Sequence, residues 1–379
     1  MIELPGNLKK SNQQQRYSRR SFLTSASYLG AIYAGAQFLP LPGLAASLVG
    51  DSRISQTPIV DKGFASVRKI GEGLYATISD SSKGMQTVCN GGFLVGKDAA
   101  LMVEGFISPA GAAFQWETMR GLSQVPVKAA VDTHYHYDHS MGNAFYGVNG
   151  TPLWSHAGVP KRMIEVYAAM QGAEKAKVLA PYEKAVREAK TEDARKHREG
   201  WLGVMGNIYG ATNANVIGLP NHPIDPSKFP MKVDLGGQTA VLESYPGHSG
   251  TDIIVRVPEQ NVVYTGDLLF SNIYPVCFDQ QASVSGWRQT LRTFASWDKD
   301  TIFVPGHGQV CGQEGVALLR ALFDDVEEQA HKLRKAGVPV EEAKDKYEVP
   351  EKFKSVAVLS WDFTIAPAIT KLYAEWDAK

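Results

Sequence analysis

A chain of 379 residues with 44% apolar and 21% charged side chains is long enough for one large α/β domain or two average ones, and its ordinary composition speaks against a fibrous or mostly disordered protein. Its 39 basic and 39 acidic residues cancel, and no long Lys/Arg run occurs past the N-terminus, which argues against nucleic acid as a partner. Three scattered cysteines, Cys89, Cys277 and Cys311, exclude a disulfide framework and read as small apolar filler.

Residues 1–46 read as an address rather than as fold. Lys9, Lys10, Arg16, Arg19 and Arg20 stand against the single acid Glu3, and no charge occurs from Ser21 to Gly50. The uncharged span closes on the small residues Leu44-Ala45-Ala46-Ser47. A basic head, a mildly apolar stretch and a small-residue exit make an export signal. Ser25, Ser27, Gly30, Gly35, Gln37, Pro40 and Pro42 interrupt the run of about 20 apolar residues that a membrane anchor needs, so no stable anchor is expected. The stretch Ser18-Arg19-Arg20-Ser21-Phe22-Leu23 resembles a twin-arginine (Tat) signal. That resemblance implies the Tat export machinery as a partner and a periplasmic or secreted location.

From about residue 60 the pattern is strand-rich. Val67–Ile70 and Leu74–Ser79 flank the turn Gly71-Glu72-Gly73 and read as a hairpin. Gly92–Val95 and Ala99–Glu104 form a second pair around Gly96-Lys97-Asp98, and helical spacing covers Ala112–Leu122. The apolar strand Val127–Val131 then runs into the sequence THYHYDHS. Residues 157–199 are charge-rich and read as helices, with Pro181 starting the second, and a Gly/Asn-rich tract follows from Gly203 to Pro220. Strand signals resume at Met231–Leu235, Ala240–Ser244, Asp252–Val257 and Asn261–Thr265. A helix over Ser285–Ser296 and a strand over Thr301–Val304 come next, and beyond Gln313 the chain is helical before a mixed tail with Trp361 and Trp376.

Four segments share one grammar: a strand, a turn, then side chains able to bind metal. Val127–Val131 leads to His134, His136, Asp138 and His139. Tyr245-Pro246-Gly247-His248, Tyr264-Thr265-Gly266-Asp267 and Val304-Pro305-Gly306-His307 each place one such residue after a glycine. Together they supply five histidines and two aspartates, enough for two cations, and neutral imidazole with carboxylate suits zinc, iron or manganese. His156, His197, His222 and His331 match no such pattern and read as surface or loop histidines.

This set resembles the metallo-β-lactamase fold superfamily over roughly residues 60–312, with 19 residues from His248 to Asp267 and 40 more to His307. The resemblance implies an α/β fold, an αββα sandwich with a helical insertion at about 157–220 and a C-terminal helical extension over 313–379. It implies two Zn2+ ions, with Fe or Mn as substitutes. His134, His136 and His248 would hold one ion, Asp138, His139 and His307 the other, and Asp267 would bridge both. Two cations about 3.5–4 Å apart would share a water, lower its pKa toward 7, and direct it at the carbonyl of an ester, lactone, thioester or amide, with Asp138 at the catalytic edge. Aspartate at 267 resembles glyoxalase II and lactonases, whereas zinc β-lactamases carry cysteine or serine there. No lysine follows Asp267 to grip a β-lactam carboxylate, so β-lactamase activity is the narrower alternative. An iron-dependent sulfur dioxygenase is the alternative of another class, although such members leave the second site empty. Glu104 stands where the family usually has aspartate. Asp132, Ser249 and Asp252 are candidates to orient the imidazoles. The insertion, with Met163, Tyr167, Met170 and Trp201, reads equally as a lid over a small-molecule substrate and as a buttress or homodimer surface. Tyr137 reads as a packing residue or a substrate contact.

Overall fold

Strands whose two faces both meet apolar surroundings set the architecture. The computed structural model describes residues 44–189, 192–214, 216–358, 361 and 364–378, so the expected export signal lies outside the described residues up to position 43, as does the side chain of His197. Among the described residues the first sheet takes its strands in chain order: β1 (Val60–Asp61), β2 (Ala65–Gly71), β3 (Leu74–Ser79), β4 (Gly91–Val95), β5 (Ala100–Val103), β6 (Val127–Val131), β7 (Leu153–His156) and β8 (His222–Ile224). It is antiparallel from β1 to β5 and parallel from β5 to β8. The second sheet contains β9 (Met231–Asp234), β10 (Thr239–Ser244), β11 (Ile253–Val257), β12 (Val262–Ser271) and β13 (Ile302–Gly308), in the spatial order β13-β12-β11-β10-β9.

The period of two along each strand divides the core. Ile253, Val255, Val257, Val262, Tyr264, Ile302 and Val304 point between the sheets, where they meet Ile70, Leu74, Leu94, Leu101, Val103 and Val131. Their neighbours Ile254, Val263 and Phe303 point the other way, into a helical layer. Burial on both faces explains why β11 and β12 read as nearly unbroken apolar runs. On the outside of the first sheet, helix α1 (Pro109–Leu122) packs on β4 and on a short helix near residue 145. The order is helix, sheet, sheet, helix, which is the αββα sandwich that the resemblance implies.

Two one-turn or two-turn helices, α2 (Tyr137–Ser140) and α3 (Asn143–Val148), connect β6 to β7. The insertion is helical as expected and comprises α4 (Val159–Ala168), α5 (Lys175–Arg187) and α6 (Glu192–Asn213). Two details differ from the sequence reading. Pro181 lies inside α5 rather than at its start, on the solvent face, where its missing N–H costs least. Helix α6 also continues through Gly203, Gly206 and Gly210, which the sequence places in a Gly/Asn-rich tract. Val204, Met205 and Ile208 on this stretch are buried, and that packing outweighs the roughly 1 kcal/mol that each glycine costs a helix. The short strands β1, β7 and β8 carry too few residues to show a period, and β8, at the sheet edge, contains Pro223, as an edge strand allows.

After α7 (Val284–Ala295) and β13 come α8 (Gln313–Lys335), the single turn α9 (Val340–Ala343) and α10 (Ile365–Asp377). These are the outer helical layer itself rather than an appendage. Trp287 and Leu291 of α7, Leu319, Leu322 and Phe323 of α8, and Ile369 and Leu372 of α10 are fully buried or nearly so against Val263, Phe270 and Phe303 of the sheet. Residues 44–54, ahead of the expected domain start, also pack on the sandwich: Ala45 N donates to Val310 O at 2.9 Å, and Leu48 and Ile54 join the core between the sheets. No helix of the described residues is long and apolar enough to cross a membrane.

Phe323 has no exposed surface and sits against the Trp287 ring. Phe323→Ala should lower the unfolding free energy by about 3–5 kcal/mol. Denaturant titration should show a lower midpoint with an unchanged slope; a midpoint like that of the unaltered protein would refute the integral role of α8.

Candidate metal centre

The loop after β6 is held rigid before any ion is considered. Thr133 Oγ1 donates to Glu104 Oε1 at 2.6 Å, and Ile253 N donates to Thr133 O at 2.8 Å, clipping the loop to the second sheet. Ser140 Oγ donates to the carbonyls of Tyr135 and His136 at 3.0 and 2.9 Å, closing the turn of α2. Cys89 Sγ donates to Asp138 O at 2.9 Å, so this cysteine fastens the loop and is more than filler. Asp132 accepts from Asn143 Nδ2 at 2.6 Å and anchors α3 to the loop. Opposite, Ser249 N and Oγ donate to the Asp252 carboxylate at 2.8 and 2.6 Å, forming the turn that carries His248.

The outward nitrogen of each loop imidazole has a partner, which settles which nitrogen faces inward. His134 Nδ1 lies 3.1 Å from Thr133 Oγ1, whose own proton goes to Glu104. His136 Nε2 lies 3.3 Å from Asp279 Oδ2, His139 Nδ1 3.0 Å from Glu104 Oε1, and His248 Nδ1 2.9 Å from Val276 O. His134, His139 and His248 therefore turn Nε2 to a common space, and His136 turns Nδ1. Glu104, where the resemblance implies an aspartate, reaches both Thr133 Oγ1 and His139 Nδ1 with its carboxylate. Asp132, Ser249 and Asp252 shape the loops without touching a ring nitrogen. Asp279 was not legible in the sequence, because it follows no motif and lies 31 residues past His248.

The structure brings together all seven residues that the resemblance implies as ligands. Donor atoms of His134, His136, His248 and Asp267 lie within 4.8 Å of one another, and so do those of Asp138, His139 and His307. His136 Nδ1 is 3.0 Å from His134 Nε2 and 2.8 Å from His248 Nε2. Asp267 divides its oxygens between the groups. Its Oδ2 is 3.2 Å from His248 Nε2 and 3.9 Å from His134 Nε2, while Oδ1 is 3.2 Å from His139 Nε2 and 3.4 Å from His307 Nε2. Asp138 Oδ2 lies 3.0 Å from His307 Nε2.

Two glycines make this possible. A Cβ on Gly306 would fall 1.9 Å from Asp267 Oδ1, so the bridging carboxylate occupies the space a side chain would take. Gly266 has φ +51° and a Cβ there would meet Thr133 Oγ1 at 2.3 Å, so only glycine lets β12 pass the histidine loop at this point.

The donor chemistry fits cations. His139 Nε2 and Asp267 Oδ1 are buried and make no hydrogen bond, an arrangement that is costly unless a positive charge sits between them. Burial, then the neighbouring imidazoles, pushes His134 well below the usual histidine range, and burial takes His248 down to about 3. Both are neutral and ready to donate. The second group is charged. Burial opposes charge on His307, yet Asp267 and Asp138 raise it to about 9, and His139 is raised well above its usual value by Cys89, Glu104, Asp267 and Asp138 against the same burial. Burial would raise Asp138, but His139 and His307 bring it down to about 2.

Access differs across the centre. The side chains of Asp138 and His307 are 16% and 12% exposed, whereas those of His134, His139 and His248 are 0–1% exposed, so solvent enters from the second group. Tyr137 packs on the Tyr167 ring at 5.5 Å between centroids, and Met163, Tyr167 and Met170 are buried beneath the loop with Tyr135 and Met141. For these residues the insertion is a buttress rather than a lid. His156 is half-buried and stacks on Phe229, so it is not a plain surface residue, whereas His331 is exposed as expected and stacks on Trp376.

Residues 85–307 match the model of the metallo-beta-lactamase superfamily. No curated protein matches the chain. The fold is similar to that of the stereoselective inverting sec-alkylsulfatase Pisa1 from a Pseudomonas species, with TM-score 0.57 and 13% identity over 82% of this chain and 50% of that one. A double mutant of the same alkylsulfatase gives TM-score 0.56 with the same identity and coverage. This chain therefore spans about half the length of that enzyme. A metallo-beta-lactamase from Pontibacter korlensis aligns with TM-score 0.44 and 14% identity over 71% of this chain and 98% of that one.

A cation entering the second group must displace protons from His307 and His139, whereas His134 and His248 in the first group carry none. Its affinity should therefore rise with pH until His307 loses its proton above about 9, whereas His134 and His248 in the first group have no proton to displace over that range. Zinc titration calorimetry in buffers of different ionisation enthalpy reads this directly. Equal proton release by both ions would contradict the assignment.

Proposed function

The chain belongs to the metallo-beta-lactamase superfamily, and from that premise we propose that it is a dinuclear-metal hydrolase acting on an ester, lactone, thioester or amide bond. The observation that carries this reading is Asp267, whose two oxygens face two separate donor groups. Divalent cations held there would polarise a substrate oxygen and bring the pKa of a water toward neutrality. The protein's own residues do the rest. Asp138, ionised and at the solvent-accessible edge, orients the attacking water. His134 and His248, kept neutral by burial, hold their ion without competing protons. Phe278, 46% exposed and stacked on the His136 ring at 4.9 Å, offers an apolar face to the substrate's side chain.

Aspartate rather than cysteine or serine at 267 favours chemistry of the glyoxalase II and lactonase kind over β-lactam opening. A complete second group favours hydrolysis over iron-dependent sulfur oxidation. Zinc is the ion we assign first, from three imidazoles and a carboxylate in the first group and two imidazoles with two carboxylates, Asp267 shared, in the second.

Metal analysis with parallel assays should find about two zinc ions per chain and chelator-sensitive turnover on a panel of lactones, thioesters, amides, β-lactams and a secondary alkyl sulfate. Asp267→Asn should leave fewer than one ion per chain and cut turnover by more than about 100-fold. One iron per chain without hydrolysis would overturn the reading in favour of oxygen chemistry.

We also propose export by the twin-arginine route, supported by Arg19-Arg20, the uncharged span after them and the small residues at 44–47. Cell fractionation should place the protein outside the cytoplasm and place the Arg19→Lys/Arg20→Lys double variant inside it. An unchanged location for that variant would reject the route.

A further inference from the structure

Arg162 is the residue by which the helical insertion reaches the metal centre. Helix α4 buries Val159, Met163 and Tyr167 and so presents Arg162 from a packed base. Arg162 Nη2 donates to the Tyr135 hydroxyl at 3.1 Å and lies 3.5 Å from Asp279 Oδ2, with the guanidinium carbon 5.0 Å from the centre of the Tyr135 ring. Asp279 is fully buried. Its Oδ2 also accepts from the Tyr135 hydroxyl and faces His136 Nε2, while Oδ1 accepts from Gln281 N at 2.6 Å. One carboxylate oxygen thus gathers an imidazole, a phenol and a guanidinium.

The physical need is specific to His136. Within the first donor group His134 and His248 orient on a hydroxyl and a carbonyl of their own surroundings, both fully enclosed. His136 is the group's most exposed histidine and turns Nδ1, not Nε2, inward. A ring flip would put the wrong nitrogen toward the ion, and the acceptor at Nε2 opposes it. That acceptor is a buried carboxylate, which is expensive without a cation beside it. Arg162 is the cation the structure places there.

We propose that Asp279 and Arg162 are positioning residues for the first donor group: Asp279 fixes the His136 ring with Nδ1 inward, and Arg162 holds Asp279 in that pose, so that metal retention depends on the helical insertion. The proposal rests on the metal-centre reading above. It makes the insertion a determinant of metal affinity, reached through a single ion pair.

Two measurements on the full chain test it. In metal-free protein with labelled histidine, long-range proton–nitrogen spectra should show His136 protonated on Nε2, and Asp279→Asn should shift it toward a mixture of tautomers. In zinc competition against a chromophoric chelator, Asp279→Asn should weaken one of the two ions by about 10–100-fold. Arg162→Gln should weaken the same ion by less, Arg162→Lys should recover part of the loss, and the double variant should be no worse than Asp279→Asn alone. Glu165→Gln, which removes the other partner of Arg162 at 3.0 Å, should leave both ions unchanged. Should Asp279→Asn fail to fold, the two Arg162 variants carry the test by the same readouts. Unchanged tautomer and zinc retention in the Asp279 and Arg162 variants would overturn the proposal, as would losses that add in the double variant. A protein that retains no metal would defeat the hydrolase reading instead, and the tautomer shift would then decide the positioning roles alone.

Discussion

A single buried carboxylate, shared between two groups of imidazoles, is the constraint on which the site's geometry depends. Asp267 cannot sit on a surface loop, because one oxygen must reach His134 and His248 and the other must reach His139 and His307. The protein meets this by keeping the aspartate within β12, whose ten residues are all buried, and bending the pairing with β13 around it. Register shifts flank Gly266, and Gly306 on the partner strand leaves the carboxylate its space. The parallel pairing of these strands, with α7 as the crossover, also sets His307 beside Phe270 and within reach of Asp138.

Around this bridge the two donor groups differ in charge and in access. Enclosure in the first group strips His134 and His248 of protons; carboxylates in the second keep His139 and His307 charged, and Asp138 and His307 leave an open edge. The same enclosure that would be costly for lone ions is tolerable for a cluster whose charges are complementary and in which His134, His136 and His248 hydrogen-bond through their outward nitrogens while that of His139 faces the Glu104 carboxylate. The supporting shell is drawn from every part of the chain. Glu104 comes from the end of β5, Asp279 from the loop before α7, and Val276 O from the same loop, so the site draws the two sheets together at one edge. Backbone at Glu104 adopts φ +77°, a conformation unusual for glutamate, at the point where its carboxylate meets Thr133 and His139.

The helical additions are structural partners of the site rather than decoration. The insertion packs its methionines and tyrosines under the histidine loop, and the C-terminal helices bury the outer face of the second sheet. Trp287 joins both roles, since its indole N–H donates to Leu268 O at 2.9 Å while its ring lies 5.3 Å from the His248 ring. Packing of the outer layer is thereby transmitted to a residue beside the metal cluster.

By itself the sequence determined the donor set, its division into an early cluster and three strand-end residues, and the order of strands around them. These are local features: a period of two, a glycine, then a side chain with one chemical purpose. Only the tertiary structure decided who supports them. Asp279 meets His136 across 143 positions of sequence and Arg162 meets Asp279 across 117, and nothing in their neighbours marks them. Glycines in α6 yield to packing that no local propensity encodes, and β7 and β8 exist because a sheet edge is available to them. Ligands have recognisable chemistry wherever they stand, whereas a residue that positions a ligand is defined only by what the fold places beside it.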